Sequence, residues 1–301
     1  MNHRMNSATT HPLKLFTVKR SAPSPIKTFS ACLVLSLAFV STVLADKVTL
    51  IAGGKGADGG LATQAKVAKP FAVCFDKEGN MYIGQFGNKG DGQLVRKVDT
   101  HGTITTIGGT GIVGSGGDGG PATKGEFNFI HDIVFGPDGN LYIADSFNRK
   151  VRKIDLKTGI INTIKGCRGG RSIALDSKGN LYIADGSSLR VRSPDGTMKV
   201  LLDATHLGGA ESPLAANPKH LGIDAQDNVL ICDEQHPQLR KYLPAEGKLI
   251  TLMGDGKSGT AGIGGPPAQA KLSSPHGVLF HNGAIYVADS MNDRVLKISA
   301  E

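Results

Sequence analysis

Basic side chains recur at one position of a repeated sequence pattern. Four of its five copies carry a histidine, an arginine or a lysine there, and the remaining copy carries a phenylalanine. The five residues are Phe71, His131, Arg171, Lys219 and His276. Asp132 and His220 directly follow two of them. Cationic side chains that converge on one axis make an electropositive site, which suits an anionic ligand such as a carboxylate or a sulfated sugar.

The same group also contains donors for a metal ion. His131 and His276, with Asp132 beside the first, offer the nitrogen and oxygen atoms that bind a divalent cation, calcium or zinc. The alternative is that these polar side chains only line a hydrated opening. The sequence holds no nucleophile elbow, no H-E-x-x-H and no C-x-x-C, so no complete catalytic motif decides between these interpretations.

A four-stranded unit positions these residues, and its best copy starts near residue 130. Ile130 to Phe135 is an apolar run, a dense turn signal follows, and Leu141 to Asp145 is a second apolar run. Lys150 to Ile154 alternates polar and apolar residues, and Gly159 to Ile164 is a glycine-led fourth strand. The pattern predicts an antiparallel meander of four short strands.

This unit recurs along the chain. The turn and second strand appear five times, with aligned positions Tyr82, Tyr142, Tyr182, Leu230 and Tyr286. Second strands such as Leu-Tyr-Ile-Ala are apolar on both faces, so each sheet must bury both of them. The aligned positions are 60, 40, 48 and 56 residues apart, and a repeat of this length is typical of a radial array of four-stranded blades. The sequence therefore predicts an all-β propeller of four-stranded antiparallel blades, with five blades by repeat count and six as the alternative.

The two ends of the chain supply one blade between them in this prediction. The fifth copy has no fourth strand before Glu301, and a matching strand, Lys47 to Gly53, lies near the other end. We expect this N-terminal strand to pair with the last blade, which closes the ring and removes the open edges.

The repeats resemble the NHL-repeat family of β-propellers over residues 46–301. The resemblance rests on the D-x-x-G-N-L-Y-I-A-D core, on Pro275–Val278 and on Asn292–Val295. It implies one propeller domain, and we expect a monomeric binding module for a protein, peptide or glycan at one end of the ring.

The resemblance also implies an enzyme as the alternative function. Similar propellers include the streptogramin and peptidyl-amidoglycolate lyases and the gluconolactonases. A metal-assisted lyase or lactone hydrolase of this kind would use His131, Asp132, His220 and His276 as ligands or general base. We expect a binding module rather than this enzyme.

Residues 1–45 read as a signal peptide, outside the folded domain. They hold five basic residues and no acid, an apolar run from Ala31 to Val40, and a small-residue cleavage pattern ending at Ala45. Cleavage predicts a secreted, periplasmic or cell-envelope protein without a transmembrane span; an uncleaved anchor is the alternative. Removal lowers the 34 basic residues to 29 against 26 acidic ones, so the charge gives little support for nucleic-acid binding.

Other recurring residues read as structural. Glycine-rich connectors carry Asp58 and Asp118, which either cradle an ion or hold the connector in place. Aspartates end four second strands (Asp145, Asp185, Asp233, Asp289), and arginines recur on third strands (Arg96, Arg152, Arg192, Arg240). Three of the four cysteines, Cys74, Cys167 and Cys232, lie outside residues 1–45 and read as buried apolar residues; a single disulfide among them is the alternative.

Overall fold

The computed structural model describes residues 49–87, 92–186, 188–203 and 218–299. The described residues form five antiparallel sheets, numbered here as blades 1 to 5. Blade 1 holds β1 (Pro70–Phe75), β2 (Met81–Gln85), β3 (Val95–Val98) and β4 (Ile104–Gly108). Blade 2 holds β5 (Ile130–Phe135), β6 (Leu141–Asp145), β7 (Lys150–Asp155) and β8 (Ile160–Arg168).

The other three blades follow in chain order. Blade 3 holds β9 (Ser172–Leu175), β10 (Leu181–Ala184), β11 (Leu189–Arg192) and β12 (Met198–Leu202). Blade 4 holds β13 (Pro218–Ile223), β14 (Val229–Asp233), β15 (Gln238–Leu243) and β16 (Lys248–Met253). Blade 5 holds β17 (Pro275–His281), β18 (Ala284–Asp289) and β19 (Arg294–Ser299). Short 3-10 turns lie at Ala122–Lys124, Pro267–Gln269 and Ser290–Asn292. The predicted five-bladed propeller is confirmed.

The repeated D-x-x-G-N-x-Y motif builds the turn between the first two strands of a blade. In blade 1, the Asp76 carboxylate accepts bonds from the Asn80 main-chain and side-chain nitrogens at 2.8 and 2.7 Å, and from the Tyr82 hydroxyl at 3.0 Å. Gly79 takes φ 87°, a left-handed conformation that glycine adopts without strain. The motif is therefore a folding device that recurs because each blade needs the same hairpin.

Neighbouring blades pack face to face, as the two-sided apolar strands require. Ile133 and Ile143 of blade 2 share one core with Val95 of blade 1, and Val151 on the other face shares a second core with Ile183 of blade 3. The glycine-rich connectors complete these cores. Phe127 fills the interface of blades 1 and 2, and Leu272 fills that of blades 4 and 5.

The connector aspartates hold their own blade. Asp58 pairs with Arg96 at 2.8 Å, and Asp118 pairs with Arg152 at 3.0 Å. Gly119 and Gly120 exchange main-chain hydrogen bonds with Ile161 at 2.9 and 3.0 Å. This geometry supports the structural interpretation of the connectors, because both carboxylates already have a cationic partner.

The recurring aspartates and arginines pair within blades, but one predicted equivalence is wrong. Arg152 lies opposite Ile143 in the strand register, and the residue opposite the matching Ile183 is Arg190 rather than Arg192. Arg190 accordingly contacts Asp185 at 2.8 Å. The turn between the second and third strands is two residues shorter in blade 3, so equal sequence spacing selected the wrong arginine.

The predicted closing strand is not formed in the described residues. Lys47 and Val48 lie outside them, Thr49–Gly53 carry no strand, and β19 remains the third and outermost strand of blade 5. The segment is anchored toward blade 1 instead, because the Gly53 amide donates to the Ala62 carbonyl at 2.9 Å. The faces on either side of this seam are consequently exposed: Phe71, Val73 and Phe75 on β1, and Leu279 and Val295 on blade 5.

We predict that Arg152→Met lowers the free energy of unfolding by about 3–5 kcal/mol, because it leaves the buried Asp145 carboxylate without its cation. Arg152 is fully buried, lies 3.5 Å from Asp145 and also donates to the Glu126 and Gly116 carbonyls. Urea unfolding measures the change. The exposed Lys248→Met is the control and should stay within about 0.5 kcal/mol; equal effects of the two substitutions would contradict the prediction.

Candidate functional site at the channel mouth

The predicted site residues lie where the innermost strands begin. His131 and Asp132 belong to β5, Arg171 directly precedes β9, and Lys219 and His220 belong to β13. The remaining member, His276, is the second residue of β17. This end of the ring also receives the turns that follow the second strands, and we call it the mouth.

Two of these residues form bonds between neighbouring inner strands. Asp132 Oδ2 accepts from the Ser172 hydroxyl at 2.5 Å and from the Ile173 amide at 3.0 Å. Ser172 Oγ in turn accepts from the Leu221 amide at 3.0 Å, and His220 Nδ1 accepts from the Val278 amide at 3.3 Å. One residue of each of β5, β9 and β13 thus accepts a main-chain N–H of the next inner strand, which ties blades 2 to 5 together in sequence.

This arrangement gives Asp132 a structural role that the sequence did not reveal. The residue is 3% exposed, and burial raises the pKa of its carboxyl, while the His220 ring and the bonds from Ser172 and Ile173 oppose that rise. His220 Nε2 lies 3.9 Å from Asp132 Oδ1, so the ring also faces this carboxylate. Both side chains belong to the wall of the channel.

His131 lies in an aromatic cluster rather than among acids. Its ring centroid is 4.8 Å from that of Phe71 and 5.3 Å from that of Phe129. Burial lowers the pKa of His131 to about 4, helped by the charges of Arg171, His220 and Lys219. The imidazole is therefore neutral at pH 7, and its Nδ1 is buried without a hydrogen-bond partner among the described residues.

The basic residues of blades 4 and 5 are partly neutralised. Lys219 forms a 2.8 Å ion pair with Glu234, which also accepts a bond from the Ser274 hydroxyl. His276 Nδ1 lies 2.8 Å from the Ser274 carbonyl oxygen. The predicted ring of converging cations is thus uneven, and its positive charge is concentrated beside Arg171.

A cavity of about 390 Å³ opens at this point between blades 2 and 3, and we call it the mouth pocket. Three arginines line it, Arg149, Arg168 and Arg171, and none of them pairs with an acid in the part of the chain that the structure describes. The one acid in the lining, Asp185, is already bonded to Arg190. The pocket therefore presents guanidinium groups, which bind carboxylates, sulfates and phosphates well.

Aromatic rings form another part of the lining of the mouth pocket. Phe129 and Phe147 stack at 4.7 Å with an interplanar angle of 11°, and Phe147 is 68% exposed. Phe129 takes φ 67°, unusual for a bulky residue, and its amide is fixed by a 2.9 Å bond to Gln93 Oε1. A half-buried aromatic residue held in this conformation beside an exposed one at a cavity is a feature typical of binding surfaces.

Sequence reasoning missed four members of the pocket: Phe129, Phe147, Arg149 and Arg168. They lie in a connector, a turn and a strand end, where the copies differ from one another. The sequence signal that could have identified them is a break in the repeat: only three residues, Gly169–Arg171, join β8 to β9. The connectors that fill two other blade interfaces have no counterpart here.

The candidate metal ligands are not gathered into a site. Among the described residues, no group of three or more His, Cys, Asp or Glu side chains is close enough to hold a metal ion. Cys74, Cys167 and Cys232 are free thiols, and burial raises the pKa of each. The described residues contain no helix that is long and apolar enough to span a membrane.

Together the fold and the mouth pocket define a β-propeller that carries a basic, aromatic cavity at one end. No protein-family model matches the chain. A curated protein similar to the chain is the protein SUPPRESSOR OF QUENCHING 1, chloroplastic, from Arabidopsis thaliana, which is 28% identical over 258 residues. The match covers 83% of this chain but only 22% of that protein, so the chain spans about a fifth of its relative.

Solved structures share the fold at low identity. An auxiliary nutrient binding protein from Bacteroides ovatus has a TM-score of 0.59 at 15% identity, covering 83% of this chain and 62% of that one. A chain of the nidogen/laminin complex has a TM-score of 0.54 at 16% identity, covering 76% and 75%. A streptogramin B lyase has a TM-score of 0.50 at 13% identity, covering 76% and 64%. These similarities establish the β-propeller fold alone.

We predict that Ser172→Ala destabilises the protein by about 1–3 kcal/mol, because it leaves the Leu221 amide without its acceptor and removes the hydroxyl donor from the buried Asp132 carboxylate, which keeps only the Ile173 amide. Urea unfolding at pH 7 measures the loss. Ser290→Ala, at an exposed serine, is the matched control and should change the stability by less than about 0.5 kcal/mol. A loss no larger than that of the control would contradict the inter-blade role.

His131 should make the stability depend on pH. Its pKa is about 4 in the folded protein against an ordinary 6.5, so the unfolded chain takes up a proton first as the pH falls. The contribution of the neutral His131 ring to the free energy of unfolding is complete above pH 6.5 and declines toward pH 4. About 2 kcal/mol of this free energy is lost by pH 5. Urea unfolding at pH 7 and pH 5 should show a smaller pH effect for His131→Phe than for the wild type; equal effects would refute this.

Proposed function

We propose that this protein is an exported β-propeller with NHL-type repeats that binds an anionic group of a protein, peptide or glycan in the mouth pocket. The observation that carries the proposal is the group of three unpaired arginines, Arg149, Arg168 and Arg171, around one cavity of about 390 Å³. Unpaired guanidinium groups that share a concave site are arranged for an external anion, because no internal acid in the described structure neutralises them.

The aromatic wall restricts which ligands fit the pocket. Phe129 and Phe147 present an apolar surface next to the arginines. A ligand with a planar or apolar body and one or two acidic groups satisfies both walls, whereas a bare inorganic anion satisfies only one. Peptides with acidic side chains and glycans with carboxylate or sulfate groups both meet this description.

The fold supports a binding module at a general level. One structural neighbour is described as a nutrient binding protein, and another belongs to a nidogen/laminin complex. We propose the same class of role here, with export directed by residues 1–45, which lie outside the described residues. The relative's chloroplastic name agrees with a targeted protein.

The alternative, a metal-assisted lyase or lactone hydrolase, gains less from the geometry. Asp132 and His220, two of its four candidate residues, bond to backbone amides of neighbouring inner strands. His131 lies among aromatic rings, and His276 contacts a backbone carbonyl. The enzyme hypothesis therefore rests on the family resemblance, whereas the binding hypothesis rests on the mouth pocket.

We predict that the double substitution Arg149→Gln with Arg171→Gln weakens the binding of an anionic ligand at least tenfold, since each removes a charge-assisted hydrogen bond. The measurement is fluorescence anisotropy of the full chain with two labelled probes, a glutamate-rich peptide and a heparin-derived hexasaccharide. The probe that binds more tightly identifies the ligand class.

The control is Lys248→Gln, which removes an exposed charge far along the chain from the pocket. It should leave the affinity within about twofold. If both variants bind each probe as the wild type does, or if neither probe binds the wild type, the proposed function is wrong. A thermal melt of every variant separates loss of binding from loss of folding.

A further inference from the structure

A second cavity system lies between blades 2 and 3, at the end of the ring opposite the mouth. Two adjoining cavities of about 540 and 360 Å³ share Lys153, Ile164 and Arg192 in their linings, and we call them together the rear groove. The connector that fills other blade interfaces is reduced here to Gly169–Arg171, so this space is left open.

Arg192 occupies a position that is apolar in every other blade. It lies opposite Leu181, the first residue of its second strand. The residues at the same register position of the other blades are Val98, Ile154, Tyr242 and Ile298. The equivalent Ile154, Tyr242 and Ile298 pack against the preceding blade, so a charge at this position opposes burial and costs stability unless something compensates it.

The protein itself compensates Arg192 only in part. Its Nε is buried without a hydrogen-bond partner in the described ranges, as is the Nε of the structural arginines Arg96, Arg152, Arg190 and Arg240. Those four each pair with an aspartate, whereas the Arg192 NH1 reaches only the Ser193 carbonyl at 3.4 Å, which is a weak contact. No acid lies within ion-pair distance of it in the described part of the chain. Donors that are left unused inside a cavity are arranged for a ligand acceptor.

The surroundings of Arg192 are mainly basic and apolar, with two carboxylates, Asp138 and Asp155, also in the lining. Lys165 and Lys178 line the rear groove without pairing to any acid that the structure describes, whereas Lys153 is bonded to Asp138 at 2.8 Å. Between these charges the walls are apolar: Pro137, Ile164, Leu175, Leu181 and Pro194. The groove therefore suits a ligand that alternates carboxylates with apolar groups.

A peptide fits these walls better than a sugar polymer. The prolines and leucines match apolar side chains, and the uncharged polar residues that a polyhydroxylated ligand would need are limited to Tyr142, Ser177, Asn162 and Thr163. The strand β8 is also the outermost strand of blade 2 and borders the groove through Ile160–Lys165. The connector already pairs with the outer edge of this strand, because Gly119 and Gly120 exchange hydrogen bonds with Ile161, so β8 borders the groove through its side chains.

We propose that the rear groove is a second binding site, separate from the mouth pocket, that holds an extended acidic–apolar peptide segment by a carboxylate bonded to Arg192. The site is independent of the proposed mouth function, because no residue lines both cavities. A protein that presented such a segment would therefore contact the opposite face of the propeller.

The test uses the full chain and a dye-labelled, acetylated nonapeptide of three Glu-Leu-Ser repeats, with three Gln-Leu-Ser repeats as the uncharged control. Arg192→Leu restores the residue class of the other blades, so we expect it to keep or raise the melting temperature. It should weaken binding of the glutamate peptide about tenfold, and Arg192→Lys should recover part of the loss.

Further variants separate the two sites. Arg149→Gln with Arg171→Gln should leave the Arg192-dependent binding unchanged, and Lys248→Gln should bind as the wild type does. Wild-type affinity in Arg192→Leu, or equal affinity for the glutamine peptide, would overturn the proposal. Equal competition by an oligogalacturonate would overturn the peptide assignment in favour of an acidic glycan.

Discussion

Each blade of this propeller must bury both of its faces, and the molecule depends on how its connectors meet that demand. Between blades 1 and 2, Phe127 enters from the connector and joins the core, and Leu272 does the same between blades 4 and 5. Between blades 2 and 3, three residues make the whole connection. Both cavities proposed as binding sites open at this interface. The absence of a filling segment thus accounts for both cavities.

The charge distribution follows the same constraint. A long connector carries an aspartate that forms an ion pair with the arginine of the third strand, as Asp118 does with Arg152. Blade 3 has no such connector. Arg190 instead forms an ion pair with Asp185 and donates a hydrogen bond to the Arg168 carbonyl. Arg168 and its neighbours at the mouth then have no acid of the connector type near them. Positive charge accumulates at this interface because the segment that supplies acids elsewhere is missing, although the domain as a whole is nearly balanced.

The repeat made the fold predictable from the sequence, and it also set the limit of the prediction. The D-x-x-G-N-L-Y core fixes a hairpin through its own side chains, so five copies predicted five blades. Equal spacing assigned Arg192 to the structural role of Arg190, because a turn shortened by two residues is invisible to a pattern match. The prediction of a closing strand was wrong for another reason. Lys47 to Gly53 has the composition of a fourth strand, but pairing with β19 depends on where blade 5 lies relative to blade 1, which no local pattern encodes.

The candidate site was predictable in its chemistry but not in its partners. The sequence placed His131, Arg171 and Lys219 at equivalent positions, and the structure confirms that inner strands begin there. It could not show that Glu234 neutralises Lys219, or that Asp132 is bonded to Ser172, because these partners come from other elements. Equivalent residues in a repeat occupy the same position in their blades. Their roles differ because each contacts a different neighbouring side chain. The residues that depart from the repeat, such as Arg149 and Arg192, are accordingly better guides to binding than those that conform to it, because the common requirements of the fold do not explain them.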